Sequence, residues 1–300
     1  MKLLRNPKCK SIKVLCFASS LLVFFLFLSQ EILSMDWPSP SALISRNFGW
    51  NDGGMPHLGV TFEEGVAITA AGEGELLFLR HAGETASRLP STLGSWVALD
   101  HGDGIISIYS RFDDNTHLEI PTHVERGYVL GEPGISGWAS RRGFYFQLFD
   151  RRGRRWINPA LIVHARDQTP PPQVLTVTLH DEQGRTFNPA QLGTLPQGRY
   201  TVSVNAIARS VRGTPLAPYR IIVSINGREV GALNFETYAA RDGSLMVSRN
   251  GMIPARQVFA SNPAYAVADV WFSSGQTTME TIVLDIAGTR RSVIHRFTVQ

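Results

Sequence analysis

Two residue types are missing from most of this chain. Both cysteines, Cys9 and Cys16, lie near the N-terminus, and no lysine follows residue 13. The remainder therefore has no cysteine that could form a disulfide or bind a metal. Before the proline run at residues 167–173 it also has no apolar stripe of helical period, which argues against an α-helical domain there.

Positive charge is concentrated in the first 13 residues. These residues carry five of the 29 basic side chains, so 24 arginines and 25 acidic residues follow them. The chain as a whole has a formal charge of +4, but the part after residue 13 has about −1. This balance gives no indication of a nucleic-acid partner, and we expect none.

The segment after these charges has the composition of an export signal. Residues 14–28 form an uncharged run of 15 residues, VLCFASSLLVFFLFL. Residues 1–34 are therefore predicted to be a signal peptide or an N-terminal membrane anchor. The run is shorter than the about 20 residues of a membrane span, which favours a signal peptide, but no clear cleavage site follows it. We expect an exported protein of the periplasm or cell envelope, either released or anchored to the cytoplasmic membrane through this segment alone.

A run of prolines divides the rest of the chain. The sequence DQTPPPQ at residues 167–173 imposes an extended linker, so we predict domains at 40–166 and 173–300. Before the linker, short apolar runs alternate with glycine-rich turns, a pattern typical of all-β domains. After it, six or seven strand-like runs, with a hairpin signal at Asn226–Gly227, predict an immunoglobulin-like β-sandwich. Residues 237–262 alternate poorly and are predicted to form an insertion or a helical excursion.

Five sequence blocks occur in order before the linker. They are ISRNFGWND, PHLGVTFEEGVAITAAGEGELLFL, WVALDHGDGIISIYSRF, HVERGYVLGEPGISG and GFYFQLFDRRGRRWINPALIV. Together they resemble the M23 family of zinc peptidases, the lysostaphin- and LytM-like enzymes that cleave peptide cross-links in bacterial cell walls. The resemblance covers residues 44–163 and implies a LytM-like antiparallel β domain. The whole exported chain is therefore predicted to be all-β.

The resemblance also shows which metal ligands have changed. The family's zinc is held by the His and Asp of H-x-x-x-D and by the second His of HxH, which correspond to His57, Thr61 and Phe146. The catalytic histidines of the HxH and Y-x-H blocks correspond to Phe144 and Arg111. A hydroxyl does not compensate the metal charge, a phenyl ring has no lone pair, and a guanidinium stays protonated. The resemblance therefore implies no bound metal, no other cofactor and no peptidase activity.

The same correspondence predicts a binding surface in the former metal cleft. Because residues two apart share one face of a strand, Phe144 and Phe146 are expected to act together, either as core filling or as part of a partner-binding surface. The predicted cleft residues are His57, Tyr109, Arg111, Phe144 and Phe146.

Three functions are consistent with these observations. The first is a catalytically inactive M23-like protein that binds and regulates a cell-envelope partner, such as a cell-wall hydrolase or a division factor, because family members that have lost zinc ligands are known as amidase activators. The second is a peptidoglycan-binding module that does not cleave, with Tyr109, Arg111 and the arginine hairpin at residues 151–155 along its groove. The third is a zinc metallopeptidase with atypical ligands.

Overall fold

The structure is a computed structural model that describes residues 35–63, 65, 67–81, 91–115, 118–163, 170–260 and 263–300. The predicted signal or anchor segment lies outside these residues, as does the first part of the proline-containing linker. Residues 35–300 group into one compact unit. Within the described ranges, the helices are all too short or too polar to span a bilayer.

The first half of the chain consists of short strands, as its alternating apolar runs predict. A short 3-10 turn at Pro159–Leu161 follows the last of these strands. The strands are β1 (Leu43–Arg46), β2 (Val60–Glu63), β3 (Ile68–Thr69), β4 (Gly74–Arg80), β5 (Trp96–Asp100), β6 (Ile105–Ser110), β7 (His123–Val124), β8 (Val129–Gly131), β9 (Gly143–Asp150) and β10 (Arg155–Ile157).

Strand β9 occupies the centre of the antiparallel sheet in this half. It pairs with β6 along one edge, and with β2 and then β10 along the other. Its side chains at Phe144, Phe146 and Leu148 enter a hydrophobic core. Because successive side chains of a strand point to opposite faces, Tyr145 and Gln147 lie on the other face of the sheet.

The second half is also built of strands, with one short α-helix and a 3-10 turn at Pro189–Gln191. These elements are β11 (Gln173–Asp181), β12 (Thr186–Phe187), β13 (Thr194–Leu195), β14 (Gly198–Arg209), β15 (Pro215–Leu216), β16 (Arg220–Ile225), β17 (Arg228–Arg241), β18 (Ser244–Arg249), β19 (Met252–Pro254), α1 (Ala255–Phe259), β20 (Tyr265–Phe272), β21 (Gly275–Leu284) and β22 (Arg290–Val299).

Two sheets enclose a second core in this half. One contains β13, β22, β21, β16 and β17 in that order, and the other contains β12, β11, β14 and β15, with β20 paired to β14. The predicted β-sandwich is therefore present, while its immunoglobulin-like topology stays a prediction. The predicted hairpin between β16 and β17 is confirmed, since Asn226 and Gly227 have φ values of 51° and 79°, the left-handed pair that a tight hairpin turn requires.

The described part of the predicted insertion or helical excursion, residues 237–260, is mostly strand. It completes β17 and forms the β18–β19 hairpin, and Ala255–Phe259 form the short helix α1. The register of β17 against β18 shifts between Asn234 and Ala239. Such an irregularity breaks the alternation of side chains, which explains why the sequence pattern there is hard to interpret.

One sheet continues through both halves of the chain. Strand β10 pairs with β17, with Trp156 opposite Tyr238 and Ile157 opposite Thr237. This pairing joins the sheet of the first half to one sheet of the second. The domain limits at 40–166 and 173–300 stay a prediction.

Candidate functional site

The β2–β9 pair determines which side chains can meet His57. The strands run antiparallel, with Thr61 opposite Tyr145 and Val60 opposite Phe146. Opposed residues of such a pair share a face, whereas neighbours along a strand point to opposite faces. Thr61 and Tyr145 therefore share one face, while Val60 and Phe146 point into the core.

His57 packs against the face formed by Thr61 and Tyr145. Its Nε2 lies 2.9 Å from Thr61 Oγ1, and its ring centroid lies 4.8 Å from that of Tyr145. This close approach depends on Gly59, because a Cβ atom there would lie 2.2 Å from the carbonyl oxygen of Phe146. The His57 side chain is thus a buried part of the site.

The surroundings of His57 keep it uncharged. Burial, and after it the positive charges of Arg46 and Arg111, lower the pKa of His57 to about 3. Burial also raises the pKa of Tyr145. Both side chains are therefore neutral near neutral pH, and each can donate or accept a hydrogen bond.

The structure corrects the positions predicted to replace the histidine pair. Tyr145 and Gln147, rather than Phe144 and Phe146, lie beside the His57 loop, since a Cβ atom at Gly59 would come within 3 Å of both side chains. A shift of one residue along a strand exchanges its two faces. The sequence signal for the right face is the alternation in FYFQLF, where Tyr145 and Gln147 are the polar members.

Three of the five predicted cleft residues belong to the core instead. Phe144, Phe146 and Tyr109 are fully buried. The ring of Phe144 stacks on Phe62 at 4.5 Å, and that of Phe146 lies 5.2 Å from Tyr109. The Tyr109 hydroxyl accepts a hydrogen bond from the backbone N–H of Ala71 at 2.8 Å. Of the two alternatives for the phenylalanines, the structure supports core packing.

Arg111 lies beside the face formed by His57, Thr61 and Tyr145, which we call the His57 face. Its guanidinium carbon is 5.3 Å from the Tyr145 ring centroid, a cation–π distance. Its backbone has a φ of 70°. The backbone N–H of Arg111 donates to Leu93 O, and its carbonyl accepts from the Gly134 N–H. Burial lowers the pKa of Arg111, but a guanidinium remains protonated at neutral pH.

The side chains on this face do not fit the zinc ion of the M23 family. A catalytic zinc takes three protein ligands, drawn from imidazole, carboxylate and thiolate groups. Here His57 is accompanied by Thr61, Tyr145 and Gln147, none of which is an anion, and the Arg111 cation lies beside them. Across the described ranges, no group of three His, Cys, Asp or Glu side chains is placed to hold a metal.

The arginine hairpin at residues 151–155 is separate from this site. It begins at the far end of β9, roughly 20 Å along the strand from Tyr145. The hairpin therefore does not line the groove predicted for a peptidoglycan-binding module. Its arginines form the ion pairs Arg151–Asp100, Arg152–Asp103 and Arg155–Asp150.

The second half of the chain fixes the loop that carries His57. The Asn51 side-chain amide donates to the carbonyl oxygen of Phe259 at 3.0 Å, and the Phe48 ring stacks on Tyr238 at 4.5 Å. These contacts join residues about two hundred positions apart, so no local sequence pattern indicates them. The helix α1 therefore helps to position the candidate site.

Similar solved structures include several M23 peptidases. A Pseudomonas aeruginosa protein described as a peptidase M23 is 20% identical, with a TM-score of 0.34, over 54% of this chain and 65% of that one. The chain thus spans slightly less than two thirds of that protein's length.

Two further solved structures are similar to part of this chain. The catalytic domain of lysostaphin from Staphylococcus simulans is 18% identical, with a TM-score of 0.30, over 37% of this chain and 81% of that one. A structure of the SpoIIQ–SpoIIIAH pore-forming complex is 14% identical, with a TM-score of 0.33, over 44% of this chain and 92% of that one. At these identities no residue role is transferred from them.

A protein-family model matches residues 171–300, the half that contains the β-sandwich. Among curated proteins, none matches the chain.

Proposed function

We propose that this protein is a non-catalytic, M23-like protein of the cell envelope that binds and regulates a partner protein, such as a cell-wall hydrolase or a division factor. The observation that carries the proposal is the set of side chains around His57. Thr61, Tyr145 and Gln147 supply hydroxyl, phenol and amide groups where a zinc peptidase needs imidazole and carboxylate ligands. All three side chains are buried, and the Thr61 hydroxyl is hydrogen-bonded to His57, so this face offers no anionic ligand for a metal.

The acid–base chemistry of the site also supports a non-catalytic role. Arg111 occupies the position that the family resemblance assigns to a catalytic histidine, and its protonated guanidinium does not accept a proton from water. His57 is a weak base at a pKa of about 3, and its Nε2 contacts the Thr61 hydroxyl. Neither residue is suited to activating a water molecule for attack on a peptide bond.

A second candidate function is non-cleaving binding of peptidoglycan itself. The cation of Arg111 favours this alternative, because a positively charged group beside a hydrogen-bonding face is suited to acidic peptide stems. Export of the protein is part of both proposals and depends on the composition of residues 1–34.

Two measurements on the purified exported chain test the proposed function. Elemental analysis after growth with zinc is expected to find no stoichiometric zinc, and incubation with purified cell-wall sacculi is expected to release no soluble fragments. One zinc per chain that is lost in His57→Ala, together with fragment release, would instead establish an atypical zinc peptidase.

Affinity capture separates the two binding functions. The chain is expected to retain an envelope protein from detergent extract and to bind sacculi weakly. Strong sedimentation with sacculi without retention of any envelope protein would favour the peptidoglycan-binding module. Arg152→Gln is a suitable control, because Arg152 is exposed and pairs with Asp103 in the arginine hairpin at the far end of β9.

A further inference from the structure

The charges beside the His57 face do not balance. Arg46 Nη1 lies 2.9 Å from Asp52 Oδ2, so these two opposite charges form an ion pair. Asp52 also acts on Arg111, so two arginines share one carboxylate. The Nε of Arg111 is buried without a hydrogen-bond partner among the residues that the structure describes. Since His57 and Tyr145 are neutral, one positive charge in this group is left uncompensated. A partly buried, uncompensated charge costs free energy until an anion binds to it.

The backbone holds this cation in a conformation that arginine does not favour. A φ of 70° lies in the left-handed region, which glycine adopts without strain and other residues rarely adopt. Hydrogen bonds to Leu93 and from Gly134 hold the Arg111 backbone in place. Glycine would form this turn with less strain than arginine. We therefore infer that the arginine side chain has a role beyond the turn.

We propose that Arg111 and the neutral side chains of His57 and Tyr145 form a binding site for a carboxylate group of a peptide or protein ligand. The inference rests on the proposed binding function and specifies what the former metal face now recognises. A site that held a cation in the M23 family would have become a site for an anion. Arg111 supplies the charge, and the imidazole and phenol supply neutral polar groups beside it.

The charge and shape of the site favour a carboxylate over a phosphate. One uncompensated guanidinium neutralises a monoanion, whereas a phosphate dianion would leave a net negative charge against a buried face. A planar guanidinium also matches a planar carboxylate through two parallel hydrogen bonds.

Nuclear magnetic resonance on the full exported chain tests this site. N-acetylglycine is the carboxylate probe, and N-acetylglycinamide is its neutral counterpart of the same shape. We expect N-acetylglycine to shift the Arg111 Nε–H resonance in a saturable way, and the amide to leave it unchanged. Arg111→Lys identifies the resonance by its loss and should weaken binding about tenfold, because lysine keeps the charge but loses the planar donor pair.

Several results would overturn the carboxylate site. They are an absence of saturable shifts in the wild-type chain, equal shifts with both probes, or unchanged affinity in Arg111→Gln. Arg152→Gln should bind N-acetylglycine as well as the wild type does, and a matching loss there would indicate nonspecific attraction. The wild-type titration decides the question even if Arg111→Gln does not fold.

Competition then identifies the source of the carboxylate. Excess N-acetylglycine should displace either the retained envelope protein or the sacculi. Whichever is displaced is the source of the bound carboxylate. If neither probe binds but an envelope protein is still retained, the carboxylate site is wrong and the proposed function stands. If zinc and cleavage are found, the proposed function fails regardless of the probe result.

Discussion

At the scale of single residues, His57 makes the stability of the chain depend on pH, because its pKa differs between the folded and the unfolded state. In the folded chain its imidazole is buried beside two arginines and has a pKa of about 3. An unfolded histidine has a pKa near 6.5. Between these values the unfolded chain binds one more proton at this residue than the folded chain does. Stability is therefore complete above about pH 6.5 and falls as the pH falls toward 3.

The variant His57→Gln should reduce this loss of stability in acid. Each pH unit between the two pKa values costs up to about 1.4 kcal/mol per proton. We expect wild type to lose about 2 to 3 kcal/mol more than His57→Gln in unfolding free energy between pH 7 and 4.5, measured by urea denaturation. Burial also lowers the pKa of His101 and His295, but both residues are present in both proteins. Parallel pH profiles would contradict the prediction.

At the scale of elements, the alternation of side chains along β9 decides which of its residues face His57 and which enter the core. Motif spacing points to His57 and Thr61 within one continuous block, and these two side chains are in contact. The same spacing assigns the histidine pair to positions 144 and 146, one residue away from the side chains that face the site. Motif spacing does not indicate which face of a strand a residue lies on. The alternation of Tyr145 and Gln147 with apolar neighbours contains the missing information.

Rebuilding the metal site would test this register directly. The double variant Thr61→Asp with Gln147→His should create a His–Asp–His set together with His57, and we expect it to bind about one zinc per chain. The matched variant Thr61→Asp with Phe146→His should bind none at the site, because position 146 points into the core. Zinc content after dialysis is the measurement. Zinc in the second variant but not in the first would show that position 146, and not position 147, faces His57.

At the scale of the whole molecule, the two halves are less separate than the proline run suggests. The sequence predicts the strands of each half well, because alternation and turn residues are local signals. It gives no sign that β10 pairs with β17, nor that Phe48 of the first half lies in the core of the second. Pairing between distant segments depends on tertiary contacts that no window of sequence contains.

These contacts should make residues 35–300 unfold in one cooperative step. Phe48 is buried against Tyr238, and a buried Phe→Ala change typically costs about 3 to 5 kcal/mol. If the halves were independent, Phe48→Ala would lower the melting temperature of one calorimetric transition and leave a second one in place. We expect instead a single transition, with equal calorimetric and van't Hoff enthalpies, that moves as a whole. Trp138→Ala is the control, because Trp138 is 78% exposed and its loss should change stability little. The Phe48 variant should also weaken ligand binding at the His57 face, since Phe48 belongs to the loop that holds His57 in place.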